Sequence, residues 1–403
     1  MNRSELASIV RCRLESEPDV PGGQILAELL ESIGRLPGEE LRIRKMTCDA
    51  IVSAYLTQSA QPPSRHVATE RKRIKKFSTM EALIDRIQSS KKILAIVGAG
   101  ASTSAGLPDF RSQGGLYDQI KADYGEQFDD PRLLFDAAQF KLDPGPFFRV
   151  AHRLLQPPGN KPPGPTPCHR FLARMEEMDK LLRCYTQNVD GLEVKAGMTR
   201  VVHCHGTLST STCTSCSSTF PTQVQGPDTI PKCPTNDGGI LKPDIVFFGQ
   251  DLPMDYKKNV ERDVRDADLV MIFGSSLKVY PVASLVTRFP PRVPIVLINR
   301  EVVGRPNEFD IEMLGDCDTI VQELERLLDW DDDDDDEEEV DQRPKTRAIE
   351  AIQYDYLPPN RYLFPNVSID PEERRRRLAE GSPGPESNKR SRGTHSETPS
   401  NGD

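Results

Sequence analysis

Between Phe77 and Trp330 the chain alternates short, mainly apolar runs with stretches in which apolar positions recur every three or four residues. Such runs fit strands buried on both faces, and the longer period fits amphipathic helices. "KILAIV", "LLRCY", "LVMIF" and "PIVLI" are the apolar runs. Their alternation with helical stretches predicts an α/β fold over 77–330, a Rossmann-like doubly wound parallel sheet. Upstream, Ile25, Leu26, Leu29, Leu30 and Ile33 keep helical spacing, which predicts a helical N-terminal extension over 1–60. A basic linker, "QPPSRHVATERKRIKK", follows over 61–76. Past Trp330 come an acidic linker over 331–350, a distinct segment over 351–373 and a charged Ser-, Pro- and Gly-rich end over 374–403 that is expected to be disordered.

The segment "AIQYDYLPPNRYLFPNVSIDPEE" over 351–373 does not suit a disordered tail. Tyr354, Tyr356, Leu357, Tyr362, Leu363 and Phe364 crowd around Pro358-Pro359-Asn360, which reads as two short strands flanking a turn. A lone hairpin is marginal in water, so the segment is expected to dock on a surface.

Each apolar run ends in polar or glycine-rich residues. The first meets Gly98-Ala99-Gly100, the second Gln187-Asn188-Val189-Asp190, the third Gly274-Ser275-Ser276 and the fourth Asn299-Arg300-Glu301. Ligands of doubly wound sheets sit at the carboxyl ends of the strands, so four such clusters predict one shared cleft. Gly98-Ala99-Gly100 lets backbone amides approach a pyrophosphate. Hydride chemistry is disfavoured: the third glycine of a dehydrogenase fingerprint is Thr103 here, and no strand end carries an acid about 20 residues on. A P-loop is excluded because no G-K-[ST] follows. Pro108-Asp109-Phe110-Arg111 comes next instead, an aromatic ring and a guanidinium in a loop over the nucleotide.

"GAGASTSAGLPDFRS", "YTQNVDGLE", "HCHGT", "KPDIVFFGQDLP", "GSSLKVYPVA" and "LINRE" together resemble, in order and spacing, the sirtuins, NAD-dependent protein deacylases. "DPGPFFRVAHRL" and "FDIEMLGDCDTI" are most similar to the nuclear sirtuin-one branch, and "YLPPNRYLF" resembles that branch's C-terminal regulatory segment. The resemblance implies cleavage of the nicotinamide–ribose bond of NAD and transfer of an acetyl group from a lysine side chain, yielding nicotinamide and O-acetyl-ADP-ribose. It implies His205 as general base, a role that needs a group titrating near neutrality, and leaves His203 a structural one.

Carried over by motif, Gly98, Ala99, Gly100 and Ser102 form the pyrophosphate loop, and Asp109, Phe110, Arg111 and Tyr117 belong to its lid. By the same resemblance Gln187 would contact the cofactor, Asn188, counted with His205 as catalytic, would hold ribose and an ordered water, and Asp190 would hold the carboxamide. Gly274, Ser275, Ser276, Asn299, Arg300, Glu301 and Cys317 line the adenosine end. Val246, Phe248 and Gly249 face Lys278 and Val279 across a groove in which the substrate peptide lies as an added strand. Gln250 stands where the family usually has glutamate. Mono-ADP-ribosyl transfer, removal of longer acyl groups and a non-enzymatic NAD-sensing scaffold are the alternatives.

Cys213-x2-Cys216 and, after sixteen intervening residues, Cys233 have zinc-ribbon spacing, at the place where sirtuins carry structural zinc. The module is expected over about 207–243. Its fourth ligand is open: the position that should be cysteine is Asn236, with Asp237 beside it.

Charge and composition alter this picture little. The net charge of -10 is nearly all due to the acidic run from Asp331 to Glu339, so no general basic surface for sequence-specific nucleic-acid binding is expected. No stretch reads as a signal peptide or membrane span, and nine scattered cysteines fit a reducing, intracellular setting. "RKRIKK" (71–76) and "RRRR" (374–377) suit nuclear import, with a cytoplasmic pool as the alternative. The expected partners are acetylated proteins or histone tails, with chromatin complexes engaged through the N-terminal helices and the tail.

Overall fold

The computed structural model describes residues 71–380 apart from 126–129, 156–162, 224–225, 227, 280, 305–307, 331–350 and 368. The expected N-terminal helices, most of the basic linker, the acidic linker and the end of the tail lie outside the described residues. In chain order the helices are α1 (Met80–Ser89), α2 (Leu116–Tyr124), α3 (Ala137–Leu142), α4 (Gly145–Leu155), α5 (Pro167–Glu177), α6 (Leu192–Lys195), α7 (Met254–Asp266), α8 (Cys317–Leu328) and α9 (Pro371–Glu380). The strands are β1 (Ile93–Val97), β2 (Leu181–Thr186), β3 (Val201–His203), β4 (Gly206–Cys213), β5 (Thr219–Pro221), β6 (Lys232–Cys233), β7 (Asn236–Ile245), β8 (Leu269–Phe273), β9 (Ile295–Asn299), β10 (Ile311–Leu314), β11 (Asp355–Leu357) and β12 (Arg361–Leu363).

Eight strands make the main sheet in the order β11-β12-β10-β9-β8-β1-β2-β3. All neighbours run parallel except β11, which returns antiparallel on β12. The chain leaves β1 toward β2 and β3, then comes back to build β8, β9 and β10 on the other flank, so the direction of winding reverses between β1 and β8. That reversal is where a doubly wound sheet opens its crevice.

Every residue of β1, β8, β9 and β10 is buried, as expected for strands covered on both faces. Alternation divides them between two cores. Ala95, Val97, Met271 and Phe273 pack with Leu83 and Ile87 of α1, Phe171 of α5 and Ile320 and Leu324 of α8. Leu94, Ile96, Val270 and Ile272 pack on the opposite face with Tyr256 and Val260 of α7. Thr79 caps α1, its hydroxyl accepting the Ala82 N–H at 3.2 Å. β4 to β7 form a separate four-stranded antiparallel sheet in the order β5-β4-β7-β6. A third cluster, rich in edge-on phenylalanines (Phe135, Phe140, Phe147, Phe247), joins α2 to α4 to that small sheet.

Two boundaries differ from the sequence reading. The last residues of the basic linker are anchored: Arg71 donates to Val293 O (2.9 Å) and Glu308 O (3.1 Å) and pairs with the buried Asp310, which also accepts the N–H groups of Ile74 and Ile295. The end assigned to disorder begins as a helix, since α9 runs through the "RRRR" stretch. Its mean hydropathy is low, so periodicity gives no sign of it; ion pairs hold it, Arg374 to Asp355 (2.8 Å) and Glu373 to Arg361 (2.7 Å).

Segment 351–373 lies along the sheet edge. β12 pairs with β10, while Tyr354, Tyr362 and Phe364 pack against the core. The Arg361 side chain is fully enclosed, its Nε donating to Glu312 at 2.6 Å, with Arg377 3.4 Å from the same carboxylate. Removing one partner of a buried ion pair leaves a charge uncompensated, so Arg361→Met is expected to destabilise the fold by about 3 kcal/mol in urea unfolding. A chain ending at Trp330 should melt lower as well, and unchanged melting in both would show that the edge strand adds no stability.

Candidate active site and metal-binding cluster

The carboxyl ends of β1 and β8 touch through backbone alone. Gly98 N–H donates to Phe273 O and Gly100 N–H to Gly274 O, each at 2.9 Å. A methyl carbon on Gly98 would stand 2.7 Å from Gly274 O, and one on Gly100 2.7 Å from Gly274 Cα. Gly274 itself has φ +57, and a side chain there would meet Ala101 N at 2.5 Å. Three glycines therefore let two strand ends meet where any side chain would separate them. Above this crossing opens a cleft of about 1090 Å³, roomier than the roughly 300–1,000 Å³ typical of a single small-molecule site.

Nearly all residues singled out from the sequence line that cleft. Gly98, Ala99, Gly100, Asp109, Phe110, Arg111, Tyr117, Gln187, Asn188 and His205 do, as do Gly274, Ser275, Ser276, Asn299, Arg300, Glu301 and Cys317. So do Val246, Phe248, Gly249, Lys278 and Val279. Ser102 and Asp190 do not line it: Ser102 is buried and Asp190 half-buried. Ser102 donates to Asp190 at 2.8 Å and accepts from Asn188 Nδ2 at 3.2 Å, and that amide also donates to Gly98 O at 3.1 Å. A polar chain thus ties the β2 turn to the β1 turn. Ser275 ties in the β8 turn, donating to Gln187 Oε1 at 2.7 Å.

Asp109 organises its loop, its Oδ1 accepting the N–H groups of Arg111 (2.8 Å) and Ser112 (2.7 Å). Burial alone would raise its pKa, but the hydrogen bonds from Ser112 and Arg111 and the charge of Arg300 carry it below the ordinary carboxylate value. Phe110 packs edge-on against Tyr117 and Phe135, and the Arg111 guanidinium lies 5.6 Å from the Tyr117 ring centre. Gln250 accepts the Phe247 N–H at 2.9 Å, a contact the amide makes without the charge of glutamate. Phe135, Phe147 and Leu154 form an apolar wall of the cleft; Phe147 and Leu154 fall within the "DPGPFFRVAHRL" motif, which does not mark them as lining it.

His205 follows β3 and is half-buried. Its Nδ1 lies 2.9 Å from Gln187 O. A carbonyl oxygen only accepts, so the ring proton sits on Nδ1 and the lone pair on Nε2. Nε2 is buried without a protein partner. Burial lowers the pKa, the Gln187 hydrogen bond opposes this, and the positive Arg111 adds to the lowering. The arrangement is a neutral base aimed into a cleft.

In the small sheet Cys213, Cys216 and Cys233 gather with their sulfurs within 4.8 Å of one another. Cys216 Sγ and Cys233 Sγ are 3.7 Å apart, matching the roughly 3.8 Å edge of a tetrahedron with zinc–sulfur bonds of about 2.3 Å. The cluster thus fits three corners of a zinc site. At the open fourth position, Asn236 turns its amide oxygen to Gly238 N–H at 3.0 Å, and the Thr235 hydroxyl lies 3.2 Å from Cys233 Sγ and 3.7 Å from Cys216 Sγ. The side chain of Asp237 lies outside the described residues.

The site as a whole is a cleft at the switch point of a doubly wound α/β sheet, lined by a histidine whose Nε2 has no protein partner. The Sir2 family profile matches residues 98–281. The chain is 37% identical over 326 residues to the NAD-dependent protein deacetylase sirtuin-1 of Rattus norvegicus, covering 78% of this chain and 57% of that protein. It is 45% identical over 264 residues to the NAD-dependent deacetylase sir2D of Dictyostelium discoideum, covering 63% and 47%. A solved Sir2 homologue in complex with ADP ribose superposes with a TM-score of 0.56 at 30% identity, covering 62% of this chain and 97% of that one. The chain belongs to the Sir2 family, on the class I side where the sirtuin-1 proteins fall. It spans about half the length of the curated relatives it matches.

The purified protein is expected to hold about one zinc, lost to chelators faster than from a four-thiolate site because a neutral oxygen is a poor fourth donor. Asn236→Cys should slow that loss in a zinc-release assay, and absence of zinc from both forms would refute the metal assignment.

Proposed function

We propose that the protein removes acetyl groups from lysine side chains of other proteins, consuming NAD. The observation that carries this reading is the neutral, half-buried His205 with its unpartnered Nε2 in a cleft lined by the Gly98–Gly100 and Gly274 turns. The named relatives are NAD-dependent deacetylases, and the superposing Sir2 homologue holds ADP ribose, which supports the same reading.

The residues present fit the dinucleotide. Backbone amides at the Gly98 turn suit the pyrophosphate, Asn299 and Ser275 the adenosine end, Asn188 the nicotinamide ribose and Asp190 the carboxamide. When bound, NAD supplies a ribose carbon made electrophilic by departure of nicotinamide, together with the hydroxyls that receive the acetyl group. His205 Nε2 takes a proton from a ribose hydroxyl, and Gln187 O holds the imidazole in the tautomer that this requires. Phe110 and Arg111 cover the reacting end and exclude water. The lysine enters between Gly249 and Val279, with its peptide added as a strand. Phe248 commits its N–H to Phe135 O at 2.8 Å and its carbonyl to Ala137 N–H at 3.2 Å, so that pairing falls to its neighbours.

Acetylated histone tails are proposed as substrates and the nucleus as the site of action. Support comes from the sirtuin-1 and SIR2 histone deacetylase relatives and from the exposed Arg374, Arg375 and Arg376 on α9.

His205→Ala should lower kcat by at least about a hundredfold while NAD binding stays within a few-fold. In the parent, kcat/KM should hold level above pH 7 and fall about tenfold per unit once the pH drops below the pKa of the base, which lies under the ordinary value of about 6.5. Both are read from acetyl-peptide mass and nicotinamide release. Near-parent turnover in the variant would remove His205 from the chemistry, and nicotinamide release with no acetyl loss would favour ADP-ribosyl transfer.

A further inference from the structure

Beside the β2 turn three ionisable side chains meet, two of them fully buried and the third, Asp190, half-buried. His169 of α5, Asp190 after β2 and Glu193 of α6 bring a ring nitrogen and two carboxyl oxygens within 4.8 Å of one another. His169 and Glu193 have no solvent exposure. The His169 ring is fixed by Nδ1, which accepts the Thr166 N–H at 3.3 Å and lies 2.8 Å from the Thr166 hydroxyl. That leaves Nε2 as the ring atom available to the carboxyls, and it has no other partner. Neither oxygen of Glu193 has a hydrogen-bond partner.

Enclosed polar atoms are seldom left unpaired, and an enclosed charge is costlier still. The cluster has to satisfy itself with the protons it holds. Asp190 is already engaged as an acceptor, Oδ1 from Leu192 N–H at 3.0 Å and Oδ2 from the Ser102 hydroxyl at 2.8 Å. Two adjacent carboxylates cannot both stay ionised in such a space, and Asp190 has the donors. The proton therefore belongs on Glu193.

We propose that Glu193 is a protonated acid which, with His169, forms a proton-holding cluster that positions Asp190 and, through Ser102 and Asn188, the Gly98 turn. Burial and the charge of Asp190 push the Glu193 carboxyl up to about 7, opposed by the Thr186 side chain. Burial keeps His169 low, opposed by Asp190 and by Asp318 of α8 and aided by Arg170 of its own helix. The other titratable groups facing the cluster are Cys184 of β2, Cys204 and His203; burial raises both thiols and lowers the histidine, so each is neutral near pH 7. Glu176 of α5 acts on Cys184 from outside it. A divalent ion suits the space less well, because three donors face it and Asp190 is already shared. Glu193 and His169 act on a ligand only through Asp190, and that part of the inference rests on the proposed function.

The test compares the full chain with Glu193→Gln and Glu193→Leu. A carboxyl with a raised folded pKa takes up a proton on folding. Its burial is free of cost well below the ordinary value of about 4.3, and the cost grows as pH rises to about 7. Glutamine removes that dependence, so the melting advantage of Glu193→Gln over the parent should widen by a few degrees from pH 5 to pH 8. Melting curves that stay parallel across that range would overturn the protonated acid. Glu193→Leu, which donates nothing to Asp190, should raise the nicotinamide inhibition constant and the KM for NAD on the order of tenfold with less effect on kcat, and glutamine should restore both. Equal constants for leucine and glutamine would overturn the positioning role. A second bound metal in the parent, absent from Glu193→Leu, would overturn the proton in favour of a cation. If the pH-dependent melting gap opens in a protein that does not turn over NAD, the cluster stands and the proposed activity falls.

Discussion

The contact on which the rest depends is the backbone meeting of Gly98 and Gly100 with Gly274. Parallel strands that diverge from a switch point leave a gap at their carboxyl ends, and here the gap closes to van der Waals contact because none of the three residues has a side chain. Everything polar in the site is indexed to that contact. Asn188 grips Gly98 O, Ser275 follows Gly274 directly, and Gln187 joins the two by accepting from Ser275 with its side chain. The backbone carbonyl of Gln187 then orients His205. Two hydrogen bonds thus separate the glycine crossing from the base, and a displacement of either strand end would turn the imidazole.

Electrostatically, the site is governed by where single protons are held. Enclosure keeps His205 neutral, and a carbonyl decides which nitrogen offers its lone pair. Beside the β2 turn, enclosure acts on a carboxyl in the opposite chemical sense, favouring the uncharged acid at Glu193 so that Asp190 remains the sole anion beside Ser102. In both places burial penalises the charged form, and a fixed hydrogen bond supplies the direction that burial lacks.

The sequence was most informative where structure is periodic or chemistry is local. Continuous apolar runs marked β1, β2, β8 and β9, and the residues just after them marked the cleft, because strand ends in this topology converge whatever lies between them. Less was legible where a role depends on distant partners. Phe135 and Phe147 wall the cleft only because α3 and α4 fold onto the small sheet. Ser102 and Asp190 came from a motif that does not say they stay out of the cleft lining. Arg71 reads as one more basic residue until the buried Asp310, far along the chain, accepts it. α9 has no apolar stripe, and its ion pairs to Arg361 and Asp355 carry no local signature. Asn236 held the position of a missing thiolate, but Thr235 is the group that faces the sulfurs.

The central claim is that His205 is a neutral base with its proton on Nδ1 and its lone pair in the cleft. Nitrogen NMR of the protein labelled in histidine, with His205 assigned by comparison with His205→Gln, reads tautomer and titration directly. The expected result is an Nδ1-protonated neutral ring at pH 7 whose titration midpoint lies below that of a free histidine, about 6.5. An Nε2-protonated ring, or a ring still charged at pH 7, would contradict it.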